Sequence, residues 1–87
     1  MITISWAVEG HGVGAKRVRT TDEASAALTA GVRAALEGQP PEAIAQFLHG
    51  ALGTVRHLLL TDGVTALQNA GRWSYAVSGL AVTMARE

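Results

Sequence analysis

The sequence predicts one α+β domain over residues 1–87, in the order β-hairpin, helix, helix, β-hairpin, with a mostly antiparallel sheet carrying both helices on one face. Three patterns lead there. Ile2, Ile4, Trp6 and Val8 alternate with Thr3, Ser5, Ala7 and Glu9, the period of a half-buried strand. Between Pro41 and Leu60, the residues Ile44, Phe47, Leu48, Ala51, Leu52, Val55, Leu58 and Leu59 recur at steps of three and four, the stripe of an amphipathic helix. Trp73, Tyr75 and Val77 alternate again, followed by Leu80, Val82 and Met84.

The elements follow in chain order. Gly10-His11-Gly12-Val13-Gly14 has glycine at every second position and reads as the reversal after the first strand. Ala15 to Thr20 is the expected return strand, with Val18 inward and Arg17 and Arg19 outward beside Thr3 and Ser5. Thr20 with Glu23 fits a capping box, in which a hydroxyl and a carboxylate each take an amide left free at a helix start. The first helix is expected from Thr21 to Glu37, with an apolar arc of Ala24, Leu28, Val32, Ala35 and Leu36. Gly38 and Pro40-Pro41 stop it, and Pro41 suits the first turn of the next helix.

The second helix is expected to end at Thr61-Asp62-Gly63; the short apolar run Thr54–Thr61 also reads as a strand. Val64 to Gln68 reads as a short strand and Asn69-Ala70-Gly71 as a turn. The phase of the last alternation slips at Ser78-Gly79, through either a bulge or a tight hairpin turn. The expected core is Trp6, Val18, Leu28, Val32, Phe47, Leu48, Val55, Leu58, Trp73 and Val77.

Composition narrows the chemistry. The chain has no cysteine, so neither disulfides nor thiolate metal sites contribute. Seven basic residues balance seven acidic ones, which removes any whole-protein attraction to nucleic acid or anionic lipid. Residues 41–60 are long enough to cross a bilayer but carry Glu42, Gln46, His49, Arg56 and His57, which makes insertion costly; no membrane partner is expected. The first residues lack a basic leader before an apolar run, so a cytoplasmic location is expected. Aromatics make up only 5% of the chain, a thin supply for a core, and extra burial by association is the expected remedy.

Each candidate motif has an ordinary explanation beside its chemical one. The spacing of Gly10, Gly12, Gly14 and Lys16 departs from a P-loop, and the loop leads into a strand where a dinucleotide fingerprint needs a helix. Lys16, Arg17 and Arg19 are candidates for anion or nucleic-acid binding; the alternative is a solvated, aggregation-resistant strand. His49 and His57 lie about 12 Å apart along a helix, too far to share one metal, and His11 is in a turn, so no metal site is expected. Ser5, Ser25, Ser74 and Ser78 lack a nucleophile-elbow context, and no catalytic residue or cofactor motif emerges. Two lanes of small residues, Ala26, Ala30 and Ala34 on the first helix and Ala43, Gly50 and Gly53 on the second, are candidate interfaces.

The expected function is that of a non-catalytic interaction protein, a regulator, inhibitor, immunity-type protein or assembly subunit, binding a protein partner or itself as a homo-oligomer through a sheet edge, the outer sheet face or the alanine and glycine lanes. The alternatives are a small antitoxin-like nucleic-acid or phosphate binder using Lys16, Arg17 and Arg19, and a small enzyme with a site at an oligomer interface drawing on His11, His49 or His57.

Overall fold

Period-two alternation becomes strand in four places. In the computed structural model, which describes residues 1–87, the strands are β1 (Ile2–Val8), β2 (Gly12–Val18), β3 (Arg72–Val77) and β4 (Leu80–Arg86). They form one sheet in the order β2-β1-β4-β3, antiparallel throughout. The two hairpins meet along β1 and β4, so the first and last strands are the inner pair. The Glu9 amide donates to the Gly79 carbonyl at 2.8 Å, tying the two hairpin turns together.

The first turn is shorter than the glycine pattern suggests. Gly10 (φ 76°) and Gly12 (φ 128°) have the positive φ angles of a reversal, and β2 begins at Gly12 rather than Ala15. Gly14 lies inside β2 opposite Trp6, and a β-carbon there would sit 2.6 Å from the indole. It is a glycine because Trp6 occupies the space. At the second turn, Ser78 (φ 47°) and Gly79 (φ 84°) both have positive φ, as a two-residue hairpin turn requires. The phase slip is therefore a hairpin turn, and Trp73, Tyr75 and Val77 pair with Met84, Val82 and Leu80 on one face.

Helix α1 runs from Thr21 to Ala35, ending two residues before the expected Glu37. The Thr20 hydroxyl accepts from the Glu23 amide at 3.1 Å, and the Glu23 carboxylate accepts from the Arg19 amide at 3.3 Å. The box thus closes on the residue before the N-cap.

The second helix, α2, differs most from expectation. It does not stop at Thr61-Asp62-Gly63. It continues through α-helical Pro41–Phe47, π-wound Leu48–Leu52, α-helical Gly53–Leu58, π-wound Leu59–Gly63 and α-helical Val64–Ala70. Thr54–Thr61 is helical, and the expected strand Val64–Gln68 is the last part of the helix. Gly71, left-handed at φ 76°, ends it. The π turns have a readable cause. Ala51, Val55, Leu59, Gly63 and Leu67 are all buried and recur every four residues. Their span exceeds four ideal α turns by about 1.6 residues, so a pure α-helix would carry Leu67 far around the axis. Each π turn absorbs roughly one extra residue, and two of them keep the series facing the sheet. Gly63 is buried within this series, where a β-carbon would lie 2.9 Å from Met84 Cε.

Both helices cover the same sheet face: α1 packs on β1 and β2, and α2 on β3 and β4. The core between them includes Ile4, Leu28, Val32, Leu52, Val55, Leu59, Leu80, Val82 and Met84. Of the expected core, Val18, Leu28, Val32 and Val55 are buried, whereas Trp6, Phe47, Leu48, Leu58, Trp73 and Val77 are half-buried around it. Arg56, one of the polar residues outside the apolar stripe of the second helix, donates through Nε to the buried Ser25 hydroxyl of α1 at 3.0 Å.

Candidate interaction surfaces

The sheet face opposite the helices has no covering element, and its composition follows from alternation along each strand. Cross-strand partners share a face, so Val13, Ala7, Ala81 and Ala76 form one row across all four strands. Beside it lies the row Ala15, Ser5, Thr83 and Ser74, and then Arg17, Thr3, Ala85 and Arg72. The first row is wholly apolar, and Val13 is 82% exposed. A shallow depression of about 380 Å³ involving Ala7, Ala76, Ala81 and Glu9 lies at that end of the face. Single-sided antiparallel sheets usually turn polar residues to water. Here the second and third rows follow that rule with serine, threonine and arginine, whereas the first row is small, flat and apolar.

The basic candidates are divided by the pleat. Arg17 pairs with Thr3 on the outer face, but Lys16 pairs with Ile4 and therefore belongs to the helix side. Arg17 is engaged: it contacts the Glu87 carboxylate at 2.8 Å through one terminal nitrogen and donates from Nε at 2.9 Å. The Thr3 hydroxyl donates to the other Glu87 oxygen at 2.9 Å. The Thr3 hydrogen bond first, and Arg17 with it, hold the Glu87 carboxyl below the usual carboxylate range despite a smaller opposing effect of desolvation.

Two groups singled out separately in the sequence meet in a groove between β2 and α1. Lys16, Arg17 and Arg19 line one wall, and Ala26, Ala27 and Ala30 the other, around a volume of about 390 Å³. A second depression of about 330 Å³ follows along the same strand, between Trp6, Gly12 and Gly14 on the sheet and Gly31 and Ala34 on α1. Ala26, Ala30 and Ala34 are therefore one wall of a strand-side groove. Gly50 and Gly53 are also exposed but lie on α2, apart from that lane. Gly50 borders a separate depression with Ala43, Phe47 and Ser78, and the nearest atom to a β-carbon at Gly53 would be the Leu48 carbonyl oxygen at 3.5 Å.

His11, His49 and His57 are all exposed, and no group of three His, Cys, Asp or Glu side chains is placed to hold a metal ion. No helix is long and apolar enough to cross a membrane. Compared with protein-family models, curated proteins and solved structures, the chain matches none. The sequence offers the outer sheet face as a whole but does not single out the open apolar row. Its signal was present in the outward positions of β1 and β4, which are alanine, serine and threonine where solvated strands usually carry longer polar side chains.

Proposed function

We propose that this is a non-catalytic interaction protein that binds a protein partner or a second copy of itself through the open face of its sheet. The observation that supports this reading is the row Val13–Ala7–Ala81–Ala76, apolar from one sheet edge to the other and exposed at Val13, Ala76 and Ala81. Flat, small side chains let a second surface approach closely, and burying the row removes apolar area from water at about 25 cal/mol per Å². Four strands of this length present a face of roughly 19 by 23 Å. Stacking two such faces buries area at the low end of specific interfaces, so self-association should be weak and concentration-dependent.

The test is light scattering across a wide concentration range, combined with photocrosslinking in host extract from a reactive side chain at Ala76. A dimer lost in Ala81→Lys with unchanged thermal stability, or a discrete crosslinked protein suppressed by the same substitution, supports the reading. A chain that stays monomeric and forms no crosslink removes it.

A further inference from the structure

We infer that the groove between β2 and α1 takes an extended acidic segment of a protein partner, added to the sheet as a fifth strand beside β2. This is a separate surface from the open face and does not depend on it. β2 is an edge strand of seven residues with only β1 as neighbour, so one side of its backbone has no strand partner. Such an edge is a template for strand addition. On its helix side β2 presents Gly12, Gly14 and Lys16, because these pair with the inward Val8, Trp6 and Ile4. At Gly12 a β-carbon would meet nothing within 4 Å, so that position leaves room beside the strand, whereas the Trp6 ring fills the space at Gly14 and gives the groove an apolar floor. Ala26, Ala30 and Ala34 of α1 are all exposed and border the same space, so alternate side chains of an added strand meet a low wall.

Charge selects the occupant. Lys16 and Arg19 border the groove against one acidic residue, Glu23, while Arg17 at its rim is already paired with Glu87, in a chain whose total charge is zero. A carboxylate at the level of Lys16, with an apolar residue further along the same face toward Trp6 and Ala34, matches the lining. A second copy of β2 would bring its own Lys16 and Arg19 into the same space, and like charges oppose that pairing. The other edge, β3, differs because the stacked Trp73 and Tyr75 rings occupy its helix side. A nucleic acid satisfies the cations but cannot continue a β ladder.

The probe is a short acetylated fluorescent peptide with glutamate and valine on one face and threonine on the other, followed by anisotropy. Binding should weaken with salt and fall roughly fivefold or more in Lys16→Ala plus Arg19→Ala. It should also fall in Ala30→Gln, an exposed helical position where the fold tolerates a longer side chain. N-methylating the peptide along one edge should abolish binding for one of the two edges, which attraction between charges alone would not. No binding, binding indifferent to Ala30→Gln or to both N-methylated peptides, or tighter binding of an oligothymidylate of equal charge would each overturn the inference.

Discussion

The Trp6 indole of β1 lies directly over the bare backbone of Gly31 in α1, so close that a β-carbon at Gly31 would collide with its ring. On the neighbouring strand, Gly14 receives the same ring from the other side of the slot. One large side chain thus sets the distance between sheet and helix and requires glycine at both positions. Gly31→Ala should destabilise the domain by about 1–3 kcal/mol, because a rigid indole cannot move aside as a flexible chain end does. Chemical denaturation measures the cost. Trp6→Leu should recover part of it in the double variant; independent, additive effects would show that the ring is not the obstacle.

Gly50 predicts the opposite sign. It is helical and exposed, and a β-carbon there would meet nothing within 4 Å. Gly50→Ala should therefore raise stability by up to ~1 kcal/mol through helix propensity. A raised thermal midpoint is the expected result; a lowered one would mean that the π turn itself needs glycine.

Ser25 and Arg56 form an asymmetric pair. Ser25 is 4% exposed, whereas Arg56 reaches it from an exposed position on α2. Arg56→Ala leaves a buried hydroxyl without its Arg56 partner and should cost about 1–3 kcal/mol, whereas Ser25→Ala leaves a guanidinium that water can solvate and should cost about 0.5–1.5 kcal/mol. Equal costs for the two variants, measured by denaturation, would contradict this account.

Glu87 gives the pH dependence. Its carboxyl is held below the ordinary range by Thr3 first and then Arg17, so its folded pKa lies under its unfolded value. Its contribution is present above the unfolded pKa and is lost as pH falls through the folded one. An NMR titration should place its midpoint below that of free glutamate, and Thr3→Val should raise it. Because the pair is exposed, the accompanying change in stability should be small.

Much of this architecture is local information and was legible in the residues themselves. Alternation at Ile2–Val8, the Thr20 cap and the positive-φ demand at Gly10 are each read within a few positions, since a strand period or a cap involves only near neighbours. Tertiary packing decided the rest. Asp62-Gly63 carries a stop signal, yet burying Gly63 and Leu67 against the sheet outweighs glycine's cost of up to ~1 kcal/mol, so the helix winds on with two π turns. Lys16 and Arg17 adjoin in sequence, but the pleat sends one toward α1 and the other to the open face. Gly14 and Gly31 look like flexibility in the chain and are clearance in the fold, because a glycine's purpose is set by the distant side chain that needs its space.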